Sequence, residues 1–289
     1  MKTFLFFFAL FINQLISGTT IERSFSDLPT SLGASLKGKI SVKTSPNKET
    51  KITIQTSLPE SQFDINMIFG FLNVNIKGGS DTSMETTILV PAGQLDAFTN
   101  NNDGDTEIVG DVFKDSFSVT TNANGNINLD VSKDVKSSSL STVANGYVYA
   151  NFNKDVESAT LSTQANGNVY GNFKNIGKLS ATTNAAGKVV AAGNKITTLD
   201  ATGNAAGDIS LCSFQIENPV TGSLTSSGDL YVNENADTST VSIKGSGVVQ
   251  KTSSCENPSS SPSDNSFSTA ITSSVSCFIC LLLVIYNMI

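Results

Sequence analysis

NANGN (122–126), VANGY (143–147), QANGN (164–168), NAAGK (184–188) and NAAGD (204–208) are five versions of one phrase, and SSGDL (226–230) and GSGVV (245–249) continue it. Their glycines are Gly125, Gly146, Gly167, Gly187, Gly207, Gly228 and Gly247, spaced by 21, 21, 20, 20, 21 and 19 residues. Gly104, in NNNDGD, lies 21 residues upstream of the first. A fixed period in this range signals stacked equivalent units, none of which can bury its apolar face alone.

Alignment on the glycine separates inside from outside. Two residues after it come Ile127, Val148, Val169, Val189, Ile209, Leu230 and Val249; four after it come Leu129, Ala150, Gly171, Ala191, Leu211 and Val232. Nine or ten after it come Val135, Val156, Ile176, Ile196 and Ile216. Val119, Leu140, Leu161, Leu179 and Leu199, six or eight before it, read as one further column. Each unit thus supplies one apolar residue per rung, as a β-solenoid core requires. The glycine reads as a corner, because Asn-Gly pairs populate φ > 0. The same pair marks two-residue hairpins, so a hairpin meander also fits locally, but a one-coil period with apolar rungs favours coils. Eight corners at about 4.8 Å per stacked strand predict an array on the order of 34 Å long.

Residues 19–90 lack the period. Leu36–Lys43, Lys51–Ser57, Phe63–Ile76 and Met84–Val90 alternate apolar and polar residues, separated by turn signals such as Ser45-Pro46-Asn47, Leu58-Pro59 and Gly78-Gly79. This predicts an N-terminal antiparallel β-cap over 19–90, shielding a β-solenoid of about 20–21 residues per coil over 91–251. The fold class is all-β.

Composition narrows the chemistry. Net charge is −7 with a pI near 4.6, and charged residues make up 15% of the chain. Nucleic acid is therefore an unsuitable partner, since phosphate binding needs a clustered basic face. There is no histidine or tryptophan, and Arg23 is the one arginine. Ser-His-Asp and Cys-His arrangements and imidazole zinc sites are excluded. A carboxylate-pair glycosidase stays formally open, but the residues predict no enzyme and no cofactor.

Both ends read as addresses. Lys2, the apolar run Phe4–Ile12 and the small pair Ser17-Gly18 predict a secretory signal peptide over 1–18. A Ser/Thr/Pro-rich stalk over 252–266 precedes an uncharged apolar tail over 267–289. Small residues, a polar spacer and a short apolar tail are the marks of a GPI-anchor signal removed on maturation. Ser260, Ser261, Ser263, Asp264, Asn265 and Ser266 form the attachment window. The alternative is a single-pass span, which needs about 20 apolar residues; the tail holds about 15. The predicted location is the cell surface, with the chain held to the membrane by a lipid.

Cys277 and Cys280 fall in that tail, leaving Cys212 and Cys255 in an oxidising compartment. Two coils separate them, about 10 Å along the axis, whereas bridged Cα atoms lie within about 7 Å. A bridge then requires the exit segment to fold back, and the spacing weighs slightly against it.

Positions one and three after the glycine alternate with the inward ones and should face out. They hold Tyr147, Tyr149, Tyr170 and Tyr231, with Tyr149 and Tyr170 at equivalent places on adjacent coils. An exposed tyrosine ladder among asparagines is a candidate ligand site for sugar rings or a cell-surface protein; the plainer reading is cross-strand pairing. Lys114, Lys133, Lys154, Lys174 and Lys195 with Asp115, Asp134 and Asp155 read as a solvated mixed-charge edge. Asn100–Glu107 is acidic but lacks EF-hand spacing, so no metal site is assigned.

The phrase TTILVPAGQLDAFTNNNDGDTEIVG, Thr86–Gly110, resembles the strand-to-coil junction of the putative adhesin family, the "head GIN" type of β-solenoid domain. There, strands ending in V-P-A-G lead into a first coil rich in N, G and D. The resemblance spans roughly 35–250 and implies a surface-exposed β-solenoid without known catalytic residues. The functional expectation is adhesion or surface recognition. The alternatives are a coat or spacer protein without a specific ligand and, more remotely, a polysaccharide-active β-helix enzyme.

Overall fold

A computed structural model describes residues 19–78, 83–253 and Cys255. The expected signal peptide (1–18), the attachment window Ser260–Ser266 and the apolar tail (267–289) lie outside the described residues.

The described chain forms β1 (Thr19–Phe25), β2 (Ser31–Ser35), β3 (Lys39–Thr44), β4 (Thr50–Thr56), β5 (Phe63–Ile68), β6 (Phe71–Ile76), β7 (Glu85–Val90) and β8 (Leu95–Asn100). It continues through β9 (Asp105–Val109), β10 (Phe113–Thr121), β11 (Ile127–Val131), β12 (Val135–Thr142), β13 (Tyr147–Phe152), β14 (Val156–Thr163), β15 (Asn168–Phe173) and β16 (Asn175–Thr183). The last strands are β17 (Val189–Ala192), β18 (Lys195–Gly203), β19 (Ile209–Leu211), β20 (Gln215–Ile216), β21 (Thr221–Leu224), β22 (Leu230–Val232), β23 (Val241–Ile243) and β24 (Val249–Lys251).

From β8 onward the strands join two parallel sheets by turns, so the β-solenoid expected from the glycine period is the fold observed. Sheet one runs β1-β4-β7-β3-β9-β11-β13-β15-β17-β19-β22-β24, and sheet two runs β5-β6-β2-β8-β10-β12-β14-β16-β18-β21-β23, with β20 beside β18. Along β13 half-buried and buried residues alternate without exception, and the inward residues of both sheets meet in one apolar cluster. That cluster continues from Ile21 and Leu32 to Ala236.

The cap is antiparallel only in part. β1–β4, β4–β7 and β5–β6 are antiparallel, but β3 pairs in parallel with β7 and β9, and β2 with β6 and β8. Both solenoid walls therefore extend into the N-terminal region. Phe63–Ile76 is a hairpin turning at Phe69-Gly70.

Two details correct the reading of the coil, and a third adds to it. First, the column of Val119, Leu140, Leu161, Leu179 and Leu199 is two columns. Phe117, Ser138, Ala159, Leu179 and Leu199 stack in one, and Val119, Leu140, Leu161, Ala181 and Ala201 in its neighbour. Bulk moves from one column to the other between β14 and β16, keeping each layer filled. Second, none of the repeat glycines has positive φ; Gly38, Gly70, Gly93, Gly110 and Gly222 do. The repeat glycines are needed for room. A Cβ on Gly146, Gly167, Gly187, Gly207, Gly228 or Gly247 would lie closer than 3.0 Å to the carbonyl oxygen of the preceding coil's glycine. Third, the apolar wall at the far corner is aromatic: the Phe152 and Phe173 rings stack at 4.6 Å and 6°. Gly193 follows them, and the Phe214 ring occupies the space a side chain there would need.

Polar ladders fasten the corners. Asn145 donates to Asn124 (3.0 Å) and Asn166 to Asn145 (3.3 Å), each one coil on, and Asn204 donates to Asn184 (2.8 Å). Inside, Asn100, Thr121, Thr142, Thr163 and Thr183 form a fully buried column. Thr121 Oγ1 donates to Gly125 O (2.8 Å), whereas Thr142 and Thr163 Oγ1 have no partner. Opposite signs follow for one substitution. Thr121→Val should destabilise by about 1 kcal/mol, and Thr163→Val should be neutral or stabilise by a similar amount, because an unpaired buried hydroxyl carries a desolvation cost. Urea unfolding of the two variants compares them directly; equal losses would contradict the distinction.

Candidate recognition surface

Tyr147, Tyr149 and Tyr170 come together on the outer face of sheet one. Tyr149 opposes Tyr170 in register and Tyr147 opposes Asn168. The ring contact is diagonal, Tyr147 to Tyr170, with centroids 6.4 Å apart at 78°, an edge-to-face pair. All three are half-buried, so the expected exposed ladder is a shallower patch whose rings partly cover one another.

Tyr231 stands apart. Val190 and Ser210 separate it from Tyr170 in the same column, about 14 Å along the axis at the usual strand spacing. Its hydroxyl meets Asp229 (3.4 Å), and Gln250 donates to both Asp229 (3.0 Å) and the Tyr231 hydroxyl (3.5 Å). Desolvation and the Asp208 and Asp229 carboxylates push the phenol above its ordinary range. It stays a protonated donor near neutral pH.

The opposite face carries a surface that alignment on the glycine did not single out. On sheet two, Thr99, Thr120, Ser141, Ser162, Thr182, Thr202, Ser223 and Ser242 stand in one unbroken column. Beside it run Ser118, Ser139, Thr160, Ser180, Asp200 and Thr221. The result is an array of hydroxyls interrupted only at Asp200, about 4.8 Å between coils and about 7 Å along each strand. The signal in the sequence is a Ser or Thr five residues before each corner glycine.

The Lys/Asp ladder lies where the coil turns from sheet one to sheet two. Lys114 meets Asp96 (2.8 Å), Lys133 meets Asp115 (3.1 Å) and Lys174 meets Asp155 (3.9 Å), each carboxylate belonging to the preceding coil. Lys195 pairs with Glu217, whose carboxyl is held below its usual range by hydrogen bonds from Lys195 and Thr197. These pairs are solvated, and Asp115, Lys133 and Asp155 line an open groove with Lys136, Asp134 and Glu157. In the acidic phrase, buried Asn100 donates to Gly104 O (2.6 Å) and accepts from Asn102 N (3.1 Å), so it builds the first corner. Among the described residues no His, Cys, Asp or Glu cluster could hold a metal ion.

Cys212 and Cys255 are joined in a disulfide with Cα atoms 5.6 Å apart, against the expectation from axial spacing. Thr252 N still donates to Val232 O (2.9 Å), while the bond to Cys212 places Cys255 beside the end of β19. The three steps from Thr252 to Cys255 reach about 10–11 Å when extended, enough to recover the two-coil offset.

Among the described residues no helix is long and apolar enough to cross a membrane. No protein-family model matches the chain. No curated protein matches it either. Solved structures do. A putative adhesin from Parabacteroides distasonis is 14% identical with a TM-score of 0.61, and one from Bacteroides fragilis is 16% identical with a TM-score of 0.56; each comparison covers 82% of this chain and 98% of the other. A protein described as a putative lipid binding protein, also from Parabacteroides distasonis, has 14% identity, a TM-score of 0.55 and the same coverage. The chain shares the β-solenoid fold of these proteins over nearly their whole length.

Proposed function

We propose that this protein is a non-catalytic cell-surface adhesin, held to the membrane by a GPI anchor and recognising a glycan or surface protein through the flat walls of its solenoid. The observation that carries the reading is the tyrosine patch Tyr147/Tyr149/Tyr170, set among amide ladders on a rigid wall of a fold shared with the adhesin structures. Half-buried tyrosines give aromatic area at small entropic cost, and neighbouring asparagines supply hydrogen bonds suited to sugar hydroxyls.

One experiment tests both parts. Intact cells are treated with phosphatidylinositol-specific phospholipase C, and the released protein is screened for glycan and cell binding beside a Tyr149→Ala/Tyr170→Ala variant. Release followed by saturable binding, weakened at least about tenfold in the variant, is the expected outcome. Failure of release removes the anchor, and equal binding by the variant removes the tyrosine patch. A spacer role instead predicts no saturable ligand and function that survives exchange for an unrelated rigid domain.

A further inference from the structure

The β5–β6 hairpin ends in an apolar point. Phe69 is 104% exposed, Ile68 57% and Phe71 43%, and Leu28, on a loop tied to the turn, is 45% exposed. Phe69 also stands at φ 49°, a left-handed conformation that favours Asn or Gly, followed by Gly70 at φ 79°. Neither local backbone preference nor burial accounts for a phenylalanine here.

The point is preorganised. Gly70 O accepts from Thr30 N (2.7 Å), Ser31 N (3.2 Å) and Thr30 Oγ1 (3.4 Å), and the Phe71 ring sits over Gly33 in the space a side chain would fill. It lies at the N-terminal edge of sheet two, where β5 is outermost. No charged residue occurs from Ile65 to Ile76.

We propose that this hairpin tip inserts into the interfacial region of a neutral phospholipid bilayer, with Phe69 as the leading side chain and Ile68 and Leu28 beside it. Three observations favour a bilayer over a protein pocket. The tip stands out from the sheet, with Phe69 fully exposed at its end rather than seated in a groove. The Gly70 carbonyl at its end is already satisfied within the chain, as an apolar medium demands. The charges flanking the hairpin, Asp64 and Lys77, offset one another, and Asp27 beside Leu28 is acidic on a chain of net charge −7, which selects zwitterionic over anionic lipid.

The chain has no tryptophan, so Phe69→Trp in the full chain installs a single local reporter that attachment through another segment does not move. With phosphatidylcholine vesicles, its emission should shift to the blue and be quenched by brominated lipid. Ile243→Trp, at the opposite end of sheet two, should show neither change. Adding Ile68→Asn and Leu28→Asn to Phe69→Trp should raise the lipid needed for half the shift at least about tenfold. Phe69→Asn should leave the thermal midpoint unchanged or raise it, because Asn suits the left-handed backbone. Unshifted emission from the Phe69→Trp protein at millimolar lipid would overturn the proposal. So would a concentration-dependent shift without lipid, which assigns the tip to a second copy, or a lowered midpoint for Phe69→Asn, which makes Phe69 part of the fold.

Discussion

Gly187→Ala is expected to destabilise the folded protein by about 3 kcal/mol, the top of the range for overpacking. The added Cβ would fall against Gly167 O, with Ala165 O also within 3.0 Å. Both oxygens belong to the backbone of the coil beneath, so no rotamer change relieves the contact. Relief needs the two coils to part, which disturbs the Gly187 N to Ala165 O hydrogen bond at 3.0 Å and the pairing of β15 with β17. Gly93→Ala provides the contrast: Gly93 has φ 65° but nothing within 4 Å of a Cβ, so only the backbone cost of about 1–2 kcal/mol applies. Denaturant midpoints decide. A Gly187→Ala protein as stable as wild type would mean that the coils can slide apart at little cost.

Removal of the disulfide has the second large effect. Cys212 and Cys255 are 43 residues apart in sequence, so the chain-entropy estimate for the lost crosslink is about 4 kcal/mol. The Cys212→Ala/Cys255→Ala variant should lose stability of that order, concentrated in the last coils. Cys212 is 2% exposed and Asn233 Nδ2 donates to its carbonyl (3.3 Å), so the crosslink holds a covered site. Amide exchange should quicken in β22 and β24 and stay unchanged in β11 and β13. Uniform change along the array, or two free thiols in the unreduced wild type, would refute this account.

The coil itself is readable because its rungs obey a period. Ile127, Val148, Val169, Val189, Ile209 and Leu230 fall where alignment on the glycine puts them, and all are buried. Features that depend on the space between coils are not readable. The corner glycines look like turn residues because Asn-Gly is a turn phrase, yet their φ is ordinary and the constraint comes from the coil beneath. Leu179 looks like a continuation of the column of Leu161 because each is the large aliphatic residue ahead of its corner, although Leu179 lies eight residues before the glycine and Leu161 six. The shorter coil loses its residue at the turn between Phe173 and Ile176, so Leu179 keeps the register of Ala159.

In the N-terminal region, alternation shows strands but not partners. Parallel pairing of β2 and β3 to distant strands leaves no local trace. Alternation also puts the tyrosines of β13 and β15 on one face, but their diagonal contact and half-burial depend on side-chain packing. The hydroxyl array is marked only by a Ser or Thr five residues before each corner glycine, and in a chain rich in both that mark looks like background polarity.

The stacked architecture also decides how the molecule answers a pull. Load applied along the axis opens strand pairs one at a time, in the manner of a zipper, and each freed coil of about 20 residues releases roughly 70 Å of chain. At the C-terminal end the Cys212–Cys255 link closes a loop around the last coils and withholds its 43 residues from extension. Tension entering from that end therefore passes through the disulfide from Cys255 to Cys212 and bypasses the coils between them. The last coils are thereby spared, and β19 with the strands before it take the load.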